Sequence, residues 1–244
     1  MTSILELILG RQRVLVKENE RVVVLHKGRI LGIYGPGEHM LPRRGGDLEV
    51  IRHDLASVTF TSAYEKALFD RLPDVAAHHL TAYRTGTGEV MVLERDGQIY
   101  TVFAPNQKMT VWNDAGPWKE TRFDVTGDLS VEPALVRRLV AARRAELLTN
   151  STVQDGQVGL LFIDGIYQRL LQPGLHGFWN VGRSVQVKAV DLKRQSLDVA
   201  GQELLTRDRV TIRVNITAEY RVVDPVKAVT SVKDFADALY RALQ

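Results

Sequence analysis

Three glycines and three prolines keep one spacing along this chain, and that register limits the possible folds more than any other feature. Gly28, Gly97 and Gly165 fall between aliphatic runs at steps of 69 and 68 residues, and Pro36, Pro105 and Pro173 follow at the same steps. The aliphatic runs (22–30, 90–100 and 158–167) read as two strands joined at the glycine, where a tight hairpin needs φ > 0. Asp96 and Asp164 precede their glycines, making the Asp-Gly pair favoured in type I′ turns. Each proline pre-sets the next turn, and Gly37, Asn106 or Gly174 takes its left-handed position. Asp54, Asp124 and Asp191 end a short strand-like run in each segment, so the expected role is capping a turn with the carboxylate. Each segment is expected to run strand, hairpin, strand, proline turn, strand.

Helical stretches separate the segments. Residues 65–72 align without a gap with residues 132–139. Leu135, Val136, Leu139, Val140 and Leu147 make an apolar stripe at helical spacing. Pro73 is expected to end or kink the first helix, whereas Pro133 suits a first turn. The fold class is therefore α+β: three repeated β-rich modules with intervening helices. The expected divisions are a short amphipathic segment at 1–10, modules at 11–84 and 85–149, and a third domain at 150–244.

The third segment continues differently. From Val210 to Val222 every even position is apolar and every odd one polar, the pattern of a half-buried strand roughly 43 Å long. Asp224-Pro225 supplies an N-cap acceptor and an N1 proline. Val226, Val229, Val232, Phe235, Leu239 and Leu243 then sustain apolar stripes to Gln244, and this helix is expected to run on beyond it.

The ordered set Gly165, Gln172-Pro173-Gly174-Leu175-His176, Val190-Asp191-Leu192, residues 202–208 and residues 220–229 closely resembles the SPFH or band 7 domain of the stomatin and slipin family. The N-terminal half resembles the extension of a subgroup of bacterial slipins. The resemblance implies an α+β domain that assembles side by side through its sheet and a following coiled coil, organises membrane-associated or partner-protein assemblies, and is not an enzyme. Homo-oligomers are expected when the C-terminal helical region is present. Two departures matter. Where stomatins carry an apolar hairpin, this chain has Thr149-Asn150-Ser151-Thr152, and the coiled coil is not within it.

Composition narrows the remaining classes. The chain has 244 residues and no cysteine, which excludes disulfides and thiolate chemistry. Its 32 basic and 29 acidic residues make a mixed surface. Ile4, Leu5, Leu7, Ile8 and Leu9 form too short a run to span a bilayer, which takes about 20 apolar residues. Arg137, Arg138 and Arg144, with Arg143, form one basic cluster. It lacks the aromatics of a nucleic-acid site and is a candidate lipid or partner contact. His39 and His176 occupy equivalent turn positions, but the second segment has Lys108 there, so a structural role is expected; the pair His78-His79 has no carboxylate at metal-ligand spacing, and no catalytic motif, cofactor site or nucleotide loop stands out. The polar face Thr211, Arg213, Asn215, Thr217, Glu219 and Arg221 is the candidate assembly interface. The function expected is a non-enzymatic oligomerising scaffold, cytoplasmic or peripheral at the inner face of a membrane, without a transmembrane segment or nucleic-acid partner. The alternative is a protein-binding adaptor whose N-terminal repeats hold a specific partner.

Overall fold

The computed structural model describes residues 10–42, 46 and 48–244, so the apolar run from Ile4 to Leu9 lies outside the described residues. Among them are eighteen strands and five α-helices, an α+β architecture. Backbone packing divides the chain into two compact units, Met1–Thr126 and Gly127–Gln244.

The first unit opens with β1 (Arg11–Val16), β2 (Glu20–His26), β3 (Arg29–Tyr34), β4 (Gly37–Pro42) and β5 (Leu48–Asp54). Strand β1 pairs with β4, and β2 lies between β3 and β5, all antiparallel. After helices α1 (Glu65–Arg71) and α2 (Pro73–His79) come β6 (Leu80–Arg84), β7 (Glu89–Arg95), β8 (Gln98–Phe103), β9 (Lys108–Trp112) and β10 (Trp118–Asp124). Here β6 pairs with β9, and β7 lies between β8 and β10. The second unit holds β11 (Ser130–Val131), helix α3 (Pro133–Ala141), then β12 (Leu148–Val153), β13 (Gln157–Ile163), β14 (Ile166–Leu171), β15 (Gly174–Trp179) and β16 (Val185–Asp191). Strand β12 pairs with β15, β13 lies between β14 and β16, and β11 adds to the free side of β15. The residues of Thr149-Asn150-Ser151-Thr152 thus form part of strand β12.

Local chemistry explains why these elements recur. Lys27-Gly28, Asp96-Gly97 and Asp164-Gly165 all have positive φ at both positions, from 50° to 78°, as a type I′ hairpin requires. Gly37, Asn106 and Gly174 likewise have positive φ after their prolines. Each hairpin slips by one residue at the same place, leaving Leu31, Tyr100 and Gln168 as bulges three positions beyond the turn glycine. The central strands β2, β7 and β13 each bury five consecutive residues, so their apolar runs are continuous rather than alternating.

The first two five-strand sets share a core. Val23, Leu25 and Ile33 of the first pack with Leu80, Trp112 and Ala115 of the second, and Leu68 of α1 is wholly buried between them. Across the same junction the Arg21 guanidinium, itself almost buried, bonds the Asp114 carboxylate at 2.7 Å. Pro73 does not merely stop α1: it takes the first position of α2. With no N–H to satisfy and φ already helical, proline is tolerated there.

Three other expectations are corrected in the second unit. Helix α3 stops at Ala141, closed by Arg143 in the left-handed region and a bond from Arg144 N to Leu139 O at 2.9 Å, so Leu147 is not on it. The C-terminal helix is two helices, α4 (Pro225–Ser231) and α5 (Phe235–Leu243). Asp224 caps the first as expected, and Asp234 caps the second by accepting from Ala236 and Asp237. The long alternating strand is shorter than expected: β18 (Thr211–Tyr220) pairs with β17 (Gln195–Leu205) as a two-stranded ribbon. No residue of β18 is buried. Alternation marks two chemically different faces but does not supply a core for the apolar one. Val222, Val226 and Val229 instead pack α4 onto Val158, Leu160, Phe162 and Val190 of β13 and β16.

Candidate interaction surfaces

The ribbon places the six polar residues of the candidate interface in one region, and several are engaged within the hairpin. Asn215 Oδ1 accepts the Gly201 N–H at 2.9 Å. Thr217 Oγ1 donates to Asp198 at 2.7 Å, and Glu219 lies 3.9 Å from the Arg194 guanidinium. Gly201, with φ of 70°, sits in a bulge where Ala200 and Gly201 have no partner between Val199 and Gln202. Thr211, Arg213 and Arg221 are exposed. On the opposite face Leu204 pairs directly with Ile212, both exposed, while Val199 nearer the base is fully buried. The ribbon therefore leaves its base covered and its outer half bare.

Of the candidate lipid or partner contacts, Arg137 and Arg138 are neighbours on α3 and Arg144 follows its end, all three exposed. The histidines have structural work. His39 Nε2 reaches the Gly35 carbonyl at 2.8 Å, and His176 Nε2 the Gln172 carbonyl at 2.7 Å, each closing its proline turn. Lys108, at the corresponding place in the second set, pairs with Glu65 instead. Burial works to raise the Glu65 carboxyl, but hydrogen bonds from Lys108 and from Thr110 outweigh it and hold the group below the usual carboxylate range. Asp54, Asp124 and Asp191 each accept the backbone N–H two residues on, at 2.9, 2.8 and 2.8 Å. Among the described residues no group of three His, Asp or Glu side chains is placed to hold a metal.

One set of partners escaped the sequence reading. Arg52 bonds Glu20 at 2.8 Å and the Leu15 carbonyl at 3.1 Å; Arg122 bonds Glu89 at 2.9 Å and the Arg84 carbonyl at 3.0 Å. These are matching places in the first two sets. In the third, Gln157 and Ala189 stand at the positions of the glutamate and arginine, so the clamp is lost there. The signal was present, since Glu20, Glu89 and Gln157 follow the glycine spacing, but nothing in the sequence pairs them with an arginine some thirty residues away.

This geometry comes with a family match. Residues 151–244 match the SPFH domain / Band 7 family, so this C-terminal part of the chain is similar to that domain. Among curated proteins, a stomatin homologue of Pyrococcus horikoshii is 59% identical over 46 residues, covering 19% of this chain and 17% of the relative. An uncharacterized protein of Archaeoglobus fulgidus is 38% identical over 92 residues, 38% of this chain and 36% of the relative. Stomatin-3 of Caenorhabditis elegans is 49% identical over 47 residues, 19% of this chain and 18% of the relative. The matches thus span about a third or less of these relatives' lengths. Among the described residues no helix is long and apolar enough to cross a membrane.

Proposed function

We propose that the chain is a non-enzymatic scaffold of the stomatin and slipin type, whose SPFH domain associates with further copies of itself and whose N-terminal half is a rigid extension, as in a subgroup of bacterial slipins. The three five-strand sets are copies of one module, sharing pairing order, turn geometry and bulge position. The module boundaries fall near residues 79 and 147, so that β6 and β12 open the second and third copies. The scaffold works in the cytoplasm, at the inner face of a membrane, with the exposed Arg137, Arg138 and Arg144 as its candidate contacts to lipid or to a protein partner.

The observation that carries this reading, beside the family match, is the unfinished ribbon. A sheet of only two strands is marginal by itself, yet β17 and β18 have eleven and ten residues and, among the described residues, unpaired outer edges. Such an edge is a template for strand addition, and Thr211, Arg213, Asn215, Thr217, Glu219 and Arg221 decide which strand is accepted. Sedimentation equilibrium at high protein concentration tests it. Reversing Arg213 and Arg221 to Glu is expected to weaken self-association about tenfold or more, equivalent to roughly 1.4 kcal/mol. Sedimentation as a monomer at every concentration, by this chain and by one extended through the C-terminal helical region, would overturn the reading.

A further inference from the structure

The outer end of the ribbon has a character that strand pairing does not use. Leu205, Val210, Leu204 and Ile212 are exposed by 71%, 56%, 51% and 42%. All four lie at the tip end of the hairpin, where Leu204 faces Ile212 and Leu205 faces Thr211. Successive residues of a strand point to opposite faces, so Leu204 and Ile212 lie on one side and Leu205 on the other. A partner laid against a single face would leave part of this group in water. An environment that surrounds the tip would not.

Cations sit beside these aliphatic side chains. Arg207 and Arg209 flank Asp208 in the turn between the strands, both exposed, and neither takes part in the ion pairs of the described residues. Arg213, opposite Glu203, instead lays its guanidinium over Gly201, away from the tip. The tip is also preformed. Thr206 N donates to Val210 O at 2.9 Å, Arg209 N to Thr206 O at 2.9 Å, and Val210 N to Thr206 Oγ1 at 3.1 Å. Little ordering remains to be done on binding.

We infer that the β17–β18 tip inserts into the headgroup region of an anionic bilayer, with Leu204, Leu205, Val210 and Ile212 among the upper acyl chains and Arg207 and Arg209 at the lipid phosphates. Apolar burial and attraction to anionic lipid act together at such an interface. Neither a free phosphate nor a water-soluble anion would use the four aliphatic side chains. The inference goes beyond the scaffold reading, because a monomer would insert as well as an assembly.

The absence of cysteine makes the test clean. An environment-sensitive fluorophore is placed on Leu205→Cys, and separately on Glu219→Cys near the ribbon base, in the whole 244-residue chain. Vesicles of phosphatidylcholine with about one-third phosphatidylserine are then added. Expected are a blue shift and several-fold brightening at position 205, little change at 219, a weaker response with phosphatidylcholine alone, and loss of the response in high salt. In flotation, Leu204→Asp with Leu205→Asp is expected to cut vesicle partitioning tenfold or more while leaving the sedimentation of the chain unchanged. No response at 205, an equal response at 219, or flotation unaffected by the double substitution overturns the inference without touching the scaffold reading. Brightening at 205 that follows protein concentration without vesicles overturns it too, by assigning the tip to a contact between chains.

Discussion

Replacing Trp112 by Ala should loosen the first two five-strand sets together, although the residue belongs to only one of them. Trp112 is fully buried. Its indole meets the Phe60 ring edge-on at 5.0 Å between centroids and the His53 ring at 5.4 Å. Around it lie Val23, Leu25 and Ile33 of the first set and Leu80 and Ala115 of the second. Truncating a core tryptophan to alanine costs about 3–5 kcal/mol, transfer and cavity together. Against a typical total stability of about 5–15 kcal/mol, that is about a fifth or more of what holds the unit folded. Native-state hydrogen exchange read by mass spectrometry is the assay, with peptides from β2 and from β7. Both central strands should lose protection by roughly a hundredfold to a few thousandfold, since each 1.4 kcal/mol is a factor of ten. If β7 loses protection while β2 keeps it, the two sets fold separately and the shared-core argument is wrong.

Acid should weaken the same unit. Burial holds His53 below the ordinary histidine value, and burial followed by the neighbouring His78 does the same for His79. The unfolded chain then binds protons before the folded one does, so stability is full above about pH 6.5 and falls as pH drops below it. Urea midpoints at neutral and mildly acid pH would show this as a decline. Asp234→Ala should cost about 1 kcal/mol by removing the acceptor that caps α5, visible as lost exchange protection confined to residues 235–243. Gly177→Ala should cost about 1–3 kcal/mol, because the added Cβ would stand 2.3 Å from a Val136 methyl where α3 packs on β15. Thermal melts would measure that loss, and Val136→Ala in the same chain should recover part of it.

What was legible in the sequence was local. The Asp-Gly turns, the proline turns, the strand-ending aspartates and the Asp224-Pro225 helix start all act within a few residues, so the residue types alone declare them. The bulges at Leu31, Tyr100 and Gln168 have no side chain in common and could not be read. Asp234 was hidden because apolar spacing continued across it, and only a capping geometry, not periodicity, divides α4 from α5. The alternation of β18 gave its two faces correctly and its burial in part: Val214, Ile216, Ala218 and Tyr220 are half-buried while Ile212 is bare, since nothing within a strand says how far another element covers it. The junction built on Trp112, Arg21 and Asp114 joins residues about ninety positions apart in sequence, beyond the reach of any local pattern.

Light scattering of the 244-residue chain over a wide concentration range tests the central claim most directly. The scaffold account predicts a mass that rises above the monomer's 27.4 kDa as concentration increases, and that returns toward it when Arg213 and Arg221 are reversed to Glu. A mass fixed at 27.4 kDa throughout, with both chains indistinguishable and a chain extended through the C-terminal helical region also monomeric, would contradict it.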